Sequence, residues 1–276
     1  MINQLKTFML LAALTALVLV IGSFFGTAGF ILATIFVVLM NVGTYFFADK
    51  LVLRSYGARE VTKDDHPQLY EQVSRLAKKA HLPMPKVYII PSATPNAFAT
   101  GRNPHHSAVA FTQGILHLLD TDELDGVIAH ELAHVKNRDI LLATIAAGIA
   151  GIVSFLSNMA LWQVILGGNR ENASIVHLLL LAIVAPLMAT VIQLAISRSR
   201  EYLADQTAAK LTKNPHALAS ALQKLTQGVQ ARPLQAHEST ASLFIVKPFA
   251  GGGFSNLFST HPPIAKRIKR LEALRV

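Results

Sequence analysis

The segment AHELAHVKNRDILLATIAAG, residues 129–148, places two histidines four residues apart shortly before a long apolar run. On an α-helix, residues four apart lie on the same face about one turn from each other, so His130 and His134 can bind one ion. Glu131 projects about 100° away around the helix, where its carboxylate can take a proton from a water molecule beside the ion. The segment therefore predicts a zinc site at the edge of a membrane span.

The apolar residues of the chain, 52% of the total, are concentrated in three runs without Asp, Glu, Lys or Arg: residues 7–48, 140–169 and 172–197. A membrane-spanning helix needs roughly 20 apolar residues, so the first run holds two spans and the others one each. A signal peptide before a buried core is the alternative, but a signal-peptide core is usually only about 7–15 residues long. We therefore expect four transmembrane helices, with Gly26, Thr27 and Gly29 making the turn between the first two.

The positions of Lys and Arg predict how these spans are oriented. Of the 25 Lys and Arg residues, all but Arg170 fall before the first span, between the second and third, or after the fourth. The positive-inside rule then places both termini and both large polar segments in the cytoplasm. We interpret the net charge of +9 as this topology signal plus attraction to anionic lipid. No basic and aromatic motif favours nucleic-acid binding.

The expected domain organisation follows from these spans: two transmembrane helices in residues 1–48, the first part of a cytoplasmic domain in 49–139, two transmembrane helices in 140–197, and the second part in 198–276. Short strands are predicted at 86–90, 96–101 and 107–112. A helix capped by Asp120 or Thr121 carries the two histidines and should continue into the third span, since no Pro or Gly interrupts it before Gly148.

Because the chain has no cysteine, any metal must be held by His, Asp or Glu. Glu201 is the best candidate for the third ligand. His134 and Glu201 lie six and four residues from the adjoining spans, about 9 Å and 6 Å at helical rise, so both stand at similar height above one membrane face. The competing interpretation is an ion pair of Glu201 with Arg198 or Arg200. Asp205 shares the helical face of Glu201 and is either a partner of a zinc-bound imidazole or a plain surface carboxylate.

Four motifs occur in the order found in a known family. They are Asn96-Ala97-Phe98-Ala99-Thr100-Gly101, His130-Glu131-x-x-His134, Ser197-Arg198-Ser199-Arg200-Glu201-Tyr202-x-Ala204-Asp205 and Thr260-His261-Pro262-Pro263. In these motifs the chain resembles the HtpX-type membrane heat-shock proteases, which are relatives of the CAAX prenyl protease among the gluzincin metallopeptidases.

The resemblance implies a zinc-dependent endopeptidase of the bacterial inner membrane that helps to clear misfolded or damaged membrane proteins under stress. The implied fold is mainly α-helical with a small β-sheet, made of four transmembrane helices and a cytoplasmic zincin-like metalloprotease domain. By motif match, one zinc ion would be held by His130, His134 and Glu201, with Glu131 as the general base and Asp205 behind the ligands.

The resemblance also implies two sites that bind substrate. Asn96, Ala97, Phe98, Ala99 and Thr100 would form an edge strand that pairs with an extended polypeptide. Asn96 would hydrogen-bond the substrate backbone, or it is only a turn residue after Pro95. His261 would stabilise negative charge on the scissile carbonyl oxygen as a second catalytic residue, or it only begins a helix beside Pro262.

Two other functions stay open on the sequence alone. An intramembrane protease is disfavoured because the two histidines precede the span and have charged neighbours such as Lys136 and Asp139. A non-catalytic membrane scaffold or assembly factor with a structural zinc would need a fourth protein ligand, and no cysteine is available for it.

Overall fold

The computed structural model describes residues 11–12, 15–16, 18–20, 23, 26–145, 198–233, 240, 243–246 and 262–275. The helices in this part of the chain are α1 (Gly26–Ser55), α2 (Pro67–Lys79), α3 (Gln113–Leu118), α4 (Thr121–Lys136), α5 (Arg198–Thr212), α6 (Pro215–Ala231) and α7 (Ile264–Glu272), and the strands are β1 (Arg59–Glu60), β2 (Lys86–Ile90), β3 (Ala97–Asn103) and β4 (His106–Thr112). The fold is thus mainly helical with a small mixed sheet, as the sequence predicted.

Helix α1 is long and apolar enough to cross a membrane, and it is the one such helix in the described part of the chain. It exposes large apolar side chains, among them Leu32 and Leu39, each 67% exposed. An apolar face of this extent belongs in lipid, not in water. Gly26 begins α1 with a positive φ of 73°, but Thr27 and Gly29, which were also predicted in the turn, already lie inside the helix. Most of the first predicted span, and the predicted third and fourth spans from residue 146 to 197, lie outside the described residues.

The sheet has the strand order β1-β2-β4-β3, so β3 lies at an edge. Strands β2 and β4 are parallel, whereas β3 and β4 form an antiparallel hairpin. The hairpin requires glycine at position 101, where φ is 133° and an added Cβ atom would lie 2.2 Å from the carbonyl oxygen of His106. The three strands that the sequence predicted are confirmed to within two residues at each end, and β1 was not predicted.

Helix α4 lies at the centre of the fold and packs most extensively against α5, α6 and α2, and against β3. Asp120 caps it as predicted and forms a capping box with Glu123. The contact with α6 depends on Gly126, since an added Cβ atom there would lie 3.0 Å from the backbone of Leu218. Because α4 is enclosed on these sides, Glu123, His130 and Glu131 face other protein groups instead of water, whereas Asp122 and Lys136 are exposed.

The prediction that the histidine-bearing helix continues without a break is wrong. Helix α4 ends at Lys136, Arg138 adopts a left-handed conformation with a φ of 58°, and helical structure resumes at Ile140. The Asp139 side chain turns back to within 3.3 Å of His134. On a continuous helix a residue five positions after another points about 140° away from it, so the helix must break for this contact to form.

Candidate metal centre

His130, His134 and Glu201 converge on one point. The two Nε2 atoms of the histidines are 3.2 Å apart. The Glu201 carboxylate oxygens lie 3.4 Å from Nε2 of His134 and 3.7 Å from Nε2 of His130. A tetrahedral zinc ion with bonds of about 2.0–2.2 Å needs its ligand atoms roughly 3.3–3.5 Å apart. The spacing therefore fits a zinc ion with three protein ligands.

Two helices deliver these ligands. Both histidines lie on α4, one turn apart, and Glu201 lies in the first turn of α5. The close approach of α5 to α4 uses small residues, because Ala204 and Ala208 are fully buried. The sequence pattern of two histidines on one helix and a glutamate on the next is thus brought together as predicted.

Each histidine has a carboxylate at its second ring nitrogen. Asp205 lies 3.1 Å from Nδ1 of His130, and Asp139 lies 3.3 Å from Nδ1 of His134. Since a carboxylate accepts hydrogen bonds, these contacts favour the tautomer in which Nδ1 carries the proton and Nε2 offers a lone pair to a metal. Asp205 lies beside a ligand imidazole, as the sequence predicted. The contact of Asp139 with His134 was not predicted.

Arg267 reaches the centre from α7 and is fully buried. Its guanidinium group donates to Asp205 at 2.7 Å and 2.9 Å, and it lies 3.2 Å from the Glu201 carboxylate. Sequence reasoning treated α7 only as a basic helix. The available signal was that Arg267 shares one face of α7 with Ile264, Ile268 and Leu271, which is where an arginine must be buried.

The charges of the centre favour a divalent cation. At this centre the buried carboxylates are Glu131, Asp139, Glu201 and Asp205, and the buried guanidinium groups are Arg200 and Arg267, whereas the buried Glu123 is paired with Lys224 at the start of α4. With neutral histidines, this set is two positive charges short of neutrality. Burial and the Arg267 charge lower the pKa of His130, but the hydrogen bonds with Asp205 and Glu201 outweigh them and raise it to about 9. The cluster thus attracts positive charge.

Glu131 is almost completely buried, with 2% of its surface exposed. Burial raises the pKa of its carboxyl group, and the neighbouring His130 and His134 partly oppose that rise. Its carboxylate also accepts a hydrogen bond from the backbone of Ala99, on the edge strand. Glu131 therefore lies between the metal ligands and β3.

The Asn96–Thr100 segment lies at the edge of the sheet beside this centre, and all five of its residues are buried. Asn96 is not a simple turn residue, because its amide nitrogen donates to the carbonyl oxygen of Val246 at 2.7 Å. The Thr100 hydroxyl lies 2.9 Å from the hydroxyl of Thr144, which belongs to the first part of the predicted third span. His261, the other candidate catalytic residue, lies outside the described residues.

Comparisons with known proteins agree with this geometry. Residues 63–275 match the model of peptidase family M48. A "Protease HtpX homolog" of Desulforapulum autotrophicum is 52% identical over 275 residues, which cover 98% of this chain and 89% of that protein. A protein of the same name from Pyrococcus abyssi is 49% identical and covers 98% and 95% of the two chains. These similarities confirm the resemblance seen in the sequence motifs.

The fold also has a counterpart among solved structures. The crystal structure of Ste24p from S. mikatae superposes with a TM-score of 0.54 at 20% sequence identity. The match covers 98% of this chain but 65% of the Ste24p chain, so this chain spans about two thirds of that protein. At this identity the likeness concerns the fold alone.

Proposed function

Because the chain belongs to peptidase family M48 and is a membrane metalloprotease, we propose that it hydrolyses peptide bonds with one zinc ion held by His130, His134 and Glu201. The observation that carries the proposal is the spacing of the three ligand atoms, which lie within 4.8 Å of one another and match a tetrahedral site with one position left over. A bound zinc ion would polarise the scissile carbonyl group and lower the pKa of the attacking water to about 7.

The protein's own residues hold and move the protons. Glu131 takes the proton of the attacking water at its carboxylate and passes it to the departing amine. Asp205 and Asp139 fix the orientation of the two imidazole rings through their Nδ1 atoms. Arg267 lies against the carboxylates of Glu201 and Asp205, and against the effect of burial its charge helps to hold the pKa of the buried Asp205 carboxyl below its ordinary value.

The substrate is proposed to be a polypeptide in extended conformation, bound along Asn96–Thr100. The edge position of β3 supports this assignment, because such a strand offers backbone groups to a partner of any sequence. Tolerance of sequence suits misfolded or damaged membrane proteins, which share no single motif. His261 is proposed to stabilise the carbonyl oxygen during the reaction.

The proposed location is a bacterial inner membrane, crossed four times, with both termini and the metal centre in the cytoplasm. The exposed apolar face of α1 and the distribution of Lys and Arg support this topology. Arg102, on the β3–β4 hairpin, lies with its guanidinium 5.0 Å from the Phe46 ring centre on α1. This contact sets the hairpin beside the membrane helix.

The decisive experiment compares the purified protein with its Glu131→Gln variant. We expect both to contain one zinc ion per chain by elemental analysis, and the variant to cleave an unfolded test protein about 10²–10⁴-fold more slowly. His134→Ala should lose the metal as well as cleavage. A Glu131→Gln variant with unimpaired cleavage would refute the catalytic proposal and favour a structural metal.

The topology has a separate test because the chain has no cysteine. A single cysteine at His105, which is exposed, should react with a membrane-impermeant maleimide only after the cells are opened. A single cysteine at Asn169, between the predicted third and fourth spans, should react in intact cells. The reverse pattern would invert the topology.

A further inference from the structure

The backbone of Ile245 and Val246 already occupies one end of the sheet edge. The amide of Ile245 donates to the carbonyl oxygen of Ala97 at 3.0 Å. The Asn96 side chain binds both backbone groups of Val246: its Nδ2 donates to the carbonyl oxygen at 2.7 Å, and its Oδ1 accepts from the amide at 3.4 Å. These are the groups through which Asn96 and Ala97 would bind a polypeptide.

The Ala97 carbonyl is an edge group of the sheet. The carbonyl oxygen of Asn96 accepts from the amide of Thr112 on β4 at 3.0 Å. Because backbone groups alternate in direction along a strand, those of Ala97 point away from β4: its amide donates to Oδ1 of Asn96 at 3.1 Å, and its carbonyl oxygen accepts from Ile245. Ile245 therefore binds β3 as an added chain would, although it is part of the same molecule.

Ile245 is also connected to the metal centre. Its carbonyl oxygen lies 3.4 Å from Nη1 of Arg267. The same nitrogen lies 3.2 Å from the carboxylate of Glu201. The guanidinium group of Arg267 thus links the carbonyl group of Ile245 to a candidate metal ligand. A substrate bound close to its cleavage point would place a carbonyl group similarly near the centre.

The side chains of this segment lie on two faces of the sheet edge. Ile245 is 2% exposed and packs in the core that contains α4, whereas Phe244 packs on the opposite cluster. The Phe244 ring lies 5.1 Å from the ring centres of both Phe98 and Tyr56. The segment bends at residues 244–246, and among its described residues Ile245 and Val246 are the ones whose backbone groups bond to Asn96 and Ala97.

We propose that Ile245 and Val246 are an internal occupant of the peptide site, which a substrate must displace in order to bind Asn96 and Ala97. The site accordingly takes two consecutive peptide units and accepts a branched aliphatic side chain in the place of Ile245. Phe244 anchors the occupant nearby, so that it returns when the product leaves. This inference rests on the proposed function and concerns the same site.

Amide exchange of the full-length Glu131→Gln protein tests the displacement directly. The probe is a short synthetic peptide with the sequence Leu-Phe-Ile-Val, that of residues 243–246. When the peptide binds, deuterium exchange at Ile245 and Val246 should accelerate at least about tenfold, because their hydrogen bonds to β3 are lost. The amide of Thr112, which bonds within the sheet, should stay protected. Bound peptide with unchanged exchange at Ile245, or no binding at all, overturns the proposal.

Kinetics give a second test. Ile245→Pro removes the amide that donates to Ala97, so the KM for the same peptide placed in a cleavable substrate should fall about 2–10-fold while kcat stays nearly constant. Leu243→Ala is the matched control, since it trims a buried side chain of the same segment and leaves both edge residues in place. An unchanged KM in Ile245→Pro, or an equal fall in both variants, contradicts the proposal. A wild-type protein that binds zinc but cleaves nothing would instead contradict the proposed function.

Discussion

Helices α1 and α4 have opposite relations between polarity and burial. Helix α1 exposes Leu, Phe and Ile side chains over most of its length, and Leu39 is 67% exposed. Helix α4 buries Glu123 in its first turn and His130 and Glu131 further along. The inversion is explained by the surroundings: lipid accepts apolar side chains, and the protein interior accepts charged groups that are paired.

This difference shows where each helix obtains its stability. In α1 the exposed residues contribute through the membrane, and a change on that face is felt only in lipid. In α4 the buried Glu123 depends on Lys224 from α6 and the buried His130 on Asp205 from α5, so removal of one partner leaves a charge buried without compensation. The same substitution should therefore have different consequences in the two helices.

The largest effect is expected from Arg267→Met, which removes the guanidinium group from Asp205 and Glu201 beside α4. Loss of one partner of a buried ion pair costs about 3–5 kcal/mol in the free energy of unfolding. Arg270→Met on the same helix is the control, because Arg270 is exposed and only stacks on Tyr202. Denaturant titration in detergent measures both. Equal stability of the two variants would mean that the buried polar network contributes little.

The next effect concerns the lipid face of α1. Leu39→Lys places a charge at the centre of the proposed span, at a cost of roughly 2.5–3.5 kcal/mol on insertion scales. Leu203→Lys, on the exposed face of α5, should be tolerated, since Leu203 is 48% exposed outside the proposed spans. The fraction of protein that resists carbonate extraction measures insertion. If Leu39→Lys inserts as well as the wild type, the exposed face of α1 does not lie in lipid.

A smaller effect should separate two glycines. Gly126→Ala forces a methyl group to within 3.0 Å of the Leu218 backbone and should cost about 1–3 kcal/mol. Gly43→Ala in α1 meets no described atom within 4 Å and should be neutral or stabilise the helix by about 0.5–1 kcal/mol. The midpoint of thermal unfolding in detergent shows the difference. The comparison fails if Gly43→Ala proves the more harmful change.

The smallest effect is expected at Glu123, near the start of α4. Burial raises the pKa of Glu123, but hydrogen bonds from Lys224, Ser220 and the Asp120 backbone outweigh it and hold the pKa below 4.5. Its ionised form therefore stabilises the folded protein above about pH 4.5, and this contribution is lost as the pH falls further. Glu123→Gln should cost about 1 kcal/mol at neutral pH and flatten the acid limb of the stability curve. An unaltered acid limb would count against this ion pair.

The candidate ligand set could be predicted from a short motif and from helix geometry. His130 and His134 share a helical face, and Glu201 follows from its equal height above the same membrane surface. The break after Lys136 could not be predicted, since it contains neither Pro nor Gly and forms because Asp139 binds His134. Arg267 contacts Asp205 although it lies 62 positions further along the chain, and no local sequence pattern encodes such a distant contact. The only sign in the sequence that Arg267 would be buried was its position on an otherwise apolar face of α7.

The four-span topology, the domain limits and the role of His261 stay predictions, because they concern residues outside the described part of the chain. The substrate strand is a different case. Its edge position could be expected from its motif, but the occupation of Asn96 and Ala97 by Ile245 and Val246 could not. Such a contact between segments about 150 residues apart depends on how the chain folds back on itself.

The turn at Asn137–Asp139 has a mechanical consequence. Membrane helices change their tilt when bilayer thickness changes. A rigid rod from His130 into the bilayer would carry each change of tilt to the imidazole rings. Because the helix is interrupted, rotation about the backbone bonds of Arg138 and Asp139 can absorb that motion. The carboxylate of Asp139 can meanwhile stay in contact with His134. On the proposed four-span topology, the break after Lys136 therefore separates the candidate ligands from changes of tilt in the span that follows.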